Sequence, residues 1–271
     1  MNSSTVAALN GINRRFYDRY HRAFAATRSH PWPGWRRAVA PFLAQRKGGD
    51  PGERAAPSIL DVGCGNGRFA LFLDSVSGEP YRYLGVDHSP EMIQQASQRL
   101  KAGGNIDARF QLRELANEEP GSDFDEGPFD LAVLFGILHH IPGFDFRRRL
   151  LDRLARELAP AGFLALSFWQ FGDKPRFRRR VLDWSDHNRS TAEVVDVDQL
   201  ERGDYLLAWG DQDDSRRQGE IDLAARRYCH FADAEEAAEL TGSLGLRTVD
   251  RFTSDGNSGD LNLYIVLQSG G

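Results

Sequence analysis

The sequence predicts an α/β fold with a largely parallel sheet, and three observations carry that reading. Short apolar runs alternate with amphipathic stretches between Ser58 and Phe168. The first of these runs stops abruptly at a glycine-rich turn, Gly63 to Gly67. The run Phe129 to Leu138 is almost wholly apolar, as a central strand buried on both faces requires.

Taken in order, the chain opens with Ile12, Phe16, Tyr20 and Phe24 at helical spacing, closed by the punctuation HPWPGW at His30 to Trp35. A second short helix is expected from Trp35 to Ala44. The Gly-, Pro- and charge-rich stretch from Gln45 to Pro57 reads as a linker, so residues 1–49 form a helical cap and residues 58–271 the main domain. Strands are expected at Ser58 to Val62 and Tyr83 to Val86. Ser89 then caps a helix whose first position is Pro90, whose inner face is Met92, Ile93, Ala96 and Leu100, and which ends at Gly103-Gly104. A third strand follows at Ala108 to Leu112. After the central run, Leu150, Leu151, Leu154 and Leu158 line one helix face, with Pro160 and Gly162 closing it before the strand Phe163 to Phe168. The polar stretch 170–227 is too long for a connection in a compact domain and is expected to form an inserted lid over the active-site face. Asp233 and Glu236 form a capping box for a helix to Thr241, and strands Arg247 to Phe252 and Leu261 to Leu267 complete the sheet.

With 271 residues, 41% apolar and 11% aromatic, the chain has enough apolar material for one large domain, which excludes fibrous and disordered classes. Its two cysteines, Cys64 and Cys229, exclude a disulfide scaffold and a four-cysteine zinc site, and suit a reducing cytosol. No apolar run reaches the length of a membrane span, so a cytoplasmic protein is expected. The net charge of −5 by itself argues against a nucleic-acid binder. Residues 1–49, however, hold nine Arg or Lys against Asp18 alone, a local +8 that leaves −13 for the rest.

The chemistry starts at DVGCGNG, Asp61 to Gly67. Glycines here let the backbone turn tightly and let a flat ligand press against the main chain. A dinucleotide fingerprint needs its third glycine three residues after the second, but Arg68 stands there, which disfavours NAD. No Lys followed by Ser or Thr closes the loop, so a P-loop fails too. Twenty residues beyond Gly67, Asp87 ends the second strand, where its carboxylate can accept both hydroxyls of a ribose.

Residues 58–168 and the last two strands resemble the class I S-adenosylmethionine-dependent methyltransferases, whose first motif looks like DVGCGNG and whose second ends in an acid like Asp87. The resemblance implies a Rossmann-like sheet of seven strands, mostly parallel with the last antiparallel. It implies S-adenosylmethionine as cofactor and S-adenosylhomocysteine as product. Asp61, Gly63, Cys64, Gly65 and Gly67 would hold the methionine portion and adenosyl group, with Asp87 and His88 at the ribose and Phe135 at the end of the fourth strand. In that family an acid after strand three meets the adenine amino group. The corresponding stretch here is Arg113-Glu114-Leu115, which assigns Glu114 and Leu115 to that place.

The acceptor side is marked by His139-His140, after the central strand. A hydroxyl or amine acceptor would need one of them as general base, whereas a carboxylate is already ionised at neutral pH. No further ligands stand at usable spacing, so no metal is expected. A narrower resemblance rests on Phe24-Ala-Ala-Thr27-Arg28 before Pro31-Trp32-Pro33, the His pair, Asp204 to Trp209, and Arg227-Tyr228-Cys229-His230-Phe231. Together these are similar to the eukaryotic tRNA wobble-uridine carboxymethyl methyltransferases, which esterify 5-carboxymethyluridine. That family pairs two aromatics where this chain has Tyr228-Cys229. The resemblance implies tRNA and a small activating protein as partners. Arg28, Arg227 and His230 could neutralise a carboxylate or phosphate, with the cofactor's own carboxylate an equal candidate for Arg28. Trp32, Trp169 and Tyr228 could stack a base. Arg14, Arg15, Arg19, Arg22, Arg36, Arg37 and the cluster Arg176 to Arg180 are candidates for phosphate contacts. Two readings stay open: a methyltransferase of a small carboxylic acid or hydroxyl compound, favoured by the acidic balance, and a cofactor-binding module without turnover.

Overall fold

Strands that are apolar on both faces need helices on both sides, and the chain supplies them in alternation. The computed structural model describes residues 1–27, 30–47, 55–101, 105–114, 124, 126–210 and 222–271. Helices α1 (Ser3–Ala26), α2 (Pro33–Ala38) and α3 (Ala40–Lys47) precede β1 (Ser58–Val62). Next come α4 (Arg68–Ser77), β2 (Tyr81–Asp87), α5 (Pro90–Leu100), β3 (Ile106–Leu112), β4 (Phe129–Phe135), α6 (Phe144–Arg156) and β5 (Leu158–Trp169). The insertion contains α7 (Pro175–Arg178), β6 (Val181–Leu182), α8 (Trp184–Ser190), β7 (Asp204–Ala208) and β8 (Arg226–His230). Helix α9 (Ala234–Gly242) and strands β9 (Arg247–Ser254) and β10 (Asn262–Gln268) follow.

The main sheet has seven strands in the order β3-β2-β1-β4-β5-β10-β9. β1 pairs in parallel with both β2 and β4, while β10 runs antiparallel to β5 and β9. This is the mostly parallel architecture the sequence predicts. The strand order turns back between β1 and β4, so the carboxyl ends of these two strands flank a crevice. Alternation along β1 sends Leu60 and Val62 into one core, with Leu134, Leu151 and Leu166, and Ile59 into the other, with Tyr83, Val133 and Trp35.

Helix α1 does not pack on this sheet with its apolar stripe. Leu9 and Ile12 meet Val195, Leu206 and Tyr228 of the insertion, whose β6-β7-β8 form a small antiparallel sheet. The first helix and the insertion therefore form one layer above the carboxyl ends of the strands. Among the described residues no helix is long and apolar enough to cross a membrane.

Three boundaries differ from expectation. The second helix is broken at Val39, giving α2 and α3. Strand β5 begins at Leu158 and contains Pro160 and Gly162, because a register shift against β4 relieves the proline of its ladder bond. Only glycine fits at 162, since a Cβ would lie 2.8 Å from the carbonyl oxygens of Ala159 and Phe129. The small sheet continues past Arg227 to His230. The expected helix end at Gly103-Gly104 lies outside the described residues.

Candidate active site

A cavity of about 640 Å³ opens at the carboxyl ends of β1, β2, β4 and β5, roofed by α1 and the insertion. Its floor is the glycine loop. Gly63, Gly65 and Gly67 all adopt positive φ, at 75°, 53° and 77°. They do so for different reasons. A Cβ on Gly67 would lie 3.1 Å from Ala96 of α5, so this glycine serves helix packing. A Cβ on Gly65 would meet nothing within 4 Å, so its open side is room for a ligand against bare backbone.

Two carboxylates flank that cradle. Asp87 Oδ2 accepts the Gly65 N–H at 2.9 Å, and Oδ1 accepts the Ser89 N–H at 2.9 Å. Asp87 thus clamps the loop as well as facing the cavity, a double duty that its place at the end of β2 did not reveal. Asp61 is buried and accepts the Tyr83 hydroxyl at 2.6 Å. Burial pushes its carboxyl up to about 7, against the opposing pull of Tyr83. An open backbone cradle between two buried acids fits an adenosyl sulfonium with an ammonium at one end.

Burial of Asp61 couples folding to pH. Its folded value stands above the unfolded one, so the stability contributed by the neutral acid is complete at low pH and is lost as pH rises through about 7. A ligand ammonium wants the ionised form. Affinity for S-adenosylhomocysteine is therefore expected to rise roughly tenfold per pH unit below about 7 and to level off above it. Calorimetry across pH 5.5 to 8.5 checks this, and a flat wild-type profile would separate Asp61 from the ligand.

The other cofactor candidates fall around this floor. Cys64 is buried and lines the cavity, as do His88 and Phe135. Phe135 also belongs to the core, stacked on Trp35 at 6.0 Å and edge-on to Phe69 at 5.2 Å. Glu114 lines the cavity, but its carboxylate is bridged by Arg14 of α1 at 2.6 and 2.7 Å. Arg15 is likewise paired with Glu193, so both arginines, candidates for phosphate contacts, already hold acids. Arg28 and Leu115 lie outside the described residues.

On the acceptor side His139 lies between His140 at 4.1 Å and Trp169 at 5.0 Å, its ring tilted to both, and all three line the cavity. His140 is held at both nitrogens, Nε2 by the Tyr17 hydroxyl at 2.8 Å and Nδ1 by the Tyr228 carbonyl at 3.2 Å. The tautomer with Nδ1–H donating to the carbonyl leaves Nε2 to accept the phenol proton, which suits a positioning role. Trp32 also reaches the cavity, its ring over Gly136, where a Cβ would lie 2.8 Å from the indole.

Of the expected substrate triplet only Arg227 faces the cavity. Its side is set by strand parity: Arg227 points one way from β8, and Tyr228 and His230 the other. Tyr228 is fully buried, its hydroxyl donating to Asp204 at 2.7 Å. His230 bridges Asp204 at 2.7 Å and Glu236 at 2.8 Å, and Arg147 joins the same network at Glu201 and Glu236. Burial alone would lower the His230 imidazole, but the two carboxylates hold it above its ordinary value. Neither residue is among those lining the cavity.

Arg227 itself is 4% exposed. Its guanidinium carbon lies 5.0 Å from the Phe16 ring, 5.7 Å from Phe24 and 5.8 Å from Trp169. Among the described residues no carboxylate pairs with it, and its Nε has no hydrogen-bond partner. Sequence reading missed Tyr17, Asn10 and Asn13, which line the cavity from one face of α1. Their helical spacing places them on a face of α1 that adjoins the apolar stripe of Ile12 and Phe16.

Residues 59–162 match a family model described as a methyltransferase domain. A tRNA (carboxymethyluridine(34)-5-O)-methyltransferase of Arabidopsis thaliana is 28% identical over 155 residues, covering 57% of this chain and 32% of that enzyme. A trans-aconitate 2-methyltransferase of Methylobacterium nodulans is 35% identical over 130 residues, covering 47% of this chain and 45% of that one. The matched stretch thus spans less than half the length of either relative. In fold, the chain is similar to the 1,6-didemethyltoxoflavin-N1-methyltransferase of Burkholderia thailandensis, solved with S-adenosylhomocysteine bound. The TM-score is 0.56 at 19% identity, over 98% of this chain and 88% of that one. The methyltransferase-domain match lies over a glycine cradle and two acids that suit an adenosyl sulfonium, so the chain carries a methyltransferase domain whose site fits S-adenosylmethionine.

Proposed function

We propose that this methyltransferase esterifies a carboxylate, and that its substrate is the 5-carboxymethyl group of a tRNA wobble uridine. The observation that carries the reading is Arg227, a buried cation without an acid among the described residues, facing the cavity. A buried unpaired charge costs several kcal/mol, and three aromatic faces offset only part of that. A planar anion from a ligand supplies the missing partner.

The chemistry a bound S-adenosylmethionine supplies is an electrophilic methyl group on a sulfonium sulfur. What the chain contributes is alignment. Arg227 grips the carboxylate, Trp169 and Phe177 offer faces for a base, and His140 fixes Tyr17 at the cavity wall. No general base is required, because the acceptor enters ionised. Arg176 and Arg180 at the cavity rim suit a phosphate backbone. The substrates for which both relatives are named, a carboxymethyluridine and an aconitate, carry carboxylates, which supports the reaction type. The second of them, with the −13 charge outside residues 1–49, favours a small carboxylic acid as the other reading.

Protein purified with its bound partners, incubated with tritium-labelled cofactor and total tRNA, is expected to give nuclease-sensitive label that mild base releases, as a methyl ester requires. Base-stable label in tRNA would overturn esterification. Base-labile label confined to small acids would overturn tRNA alone.

A further inference from the structure

A second guanidinium lines the cavity, among aromatic rings other than those around Arg227. Arg68 is the first residue of α4, directly after Gly67. Its side chain turns inward and lies over the indoles of Trp35 at 4.9 Å and Trp32 at 5.5 Å. Its Nη1 donates to the His30 carbonyl at 2.7 Å, which fixes one edge of the fork. Burial pushes this guanidinium down to about 10, and among the described residues no carboxylate stands within ion-pair distance of it.

The acids around Arg68 are already engaged elsewhere. Asp255 accepts from the Gly34 N–H at 2.9 Å, the Asn262 amide at 2.7 Å and the Tyr264 hydroxyl at 2.5 Å. Asp61 holds Tyr83 at 2.6 Å. Arg68 and Asp61 therefore line the same cavity as an acid and a base that do not bond each other. A separated pair of that kind complements an α-amino-acid zwitterion, with ammonium to the acid and carboxylate to the base.

We propose that Arg68 is the anchor for the carboxylate of the cofactor's amino-acid end, the task that sequence reading offered to Arg28. Lysine would not serve equally, because only a planar fork lies flat on two indoles while presenting its free edge. The inference rests on the cofactor alone and is independent of the acceptor, so the tRNA reading can fail without it.

The test is binding by titration calorimetry, with S-adenosylhomocysteine and its decarboxylated analogue, which keeps the ammonium and loses only the carboxylate. Wild type is expected to prefer the first by about thirtyfold or more. In Arg68→Met the preference collapses, because affinity for S-adenosylhomocysteine drops while that for the analogue is unchanged. Arg68→Lys retains the charge without the fork and is expected to keep a reduced preference, which serves if the Met variant does not fold. An unaltered preference in Arg68→Met, or an equal loss for both ligands, would overturn the proposal. So would a preference abolished in Arg28→Met and intact in Arg68→Met.

Discussion

Asp87→Ala is expected to weaken S-adenosylhomocysteine binding by two to three orders of magnitude. Each of the two backbone N–H groups that Asp87 accepts, at Gly65 and Ser89, would be left without its acceptor near the cavity floor. Those orphaned donors lower stability with or without ligand, and affinity falls because two ribose hydroxyls also lose their acceptor at about 1–3 kcal/mol each, where about 1.4 kcal/mol is tenfold. The loop bearing the open face of Gly65 then loses its clamp at the same time as the ribose loses its acceptor. Asp87→Asn keeps one acceptor oxygen for the loop and is expected to fall between the two. Calorimetry reads the affinity and a thermal melt reads the loop. An unchanged dissociation constant in Asp87→Ala would remove this residue from the ligand.

Arg227→Met separates function from stability. A methionine fills the apolar volume among Phe16, Phe24 and Trp169 without bringing a charge into it. Replacing a buried unpaired ion by an apolar group of similar length is stabilising. The melting temperature of the ligand-free protein is therefore expected to rise by a few degrees. Methyl transfer to a carboxylate is expected to fall about a hundredfold to a thousandfold, the size of losing one member of a buried charge pair. Affinity for S-adenosylhomocysteine should not change, because the cage lies on the acceptor side. A lower melting temperature with undiminished transfer would make Arg227 a structural cation and withdraw the carboxylate reading.

The contrast between these two residues marks how far the sequence reaches. Asp87 was legible because its role is set by near neighbours in the chain: an apolar strand, an acid at its carboxyl end, and a glycine turn twenty residues earlier. Such features depend on backbone conformation and side-chain period, which a short segment dictates for itself. The same holds for Ser89 as a helix cap, whose hydroxyl accepts the Met92 N–H, and for Asp233, which accepts from Glu235 and Glu236. The largely parallel sheet follows from the order of apolar runs, whereas its antiparallel final strand was implied only by the family resemblance.

Arg227, Tyr228 and His230 were indistinguishable as letters. Period two predicts that Arg227 and Tyr228 part company, but which of them meets the ligand depends on where α1 lies against the small sheet, a contact between segments some two hundred residues apart. Glu114 shows the same limit, since its partner Arg14 arrives from the first helix. Arg68 does too, because only packed indoles from the stretch before α4 turn it inward rather than to solvent. Local free energies along the chain determined the sheet, the turn and the acid beside it. The three-dimensional packing decided which charges lack partners, because pairing is a property of distances between elements that no single segment contains.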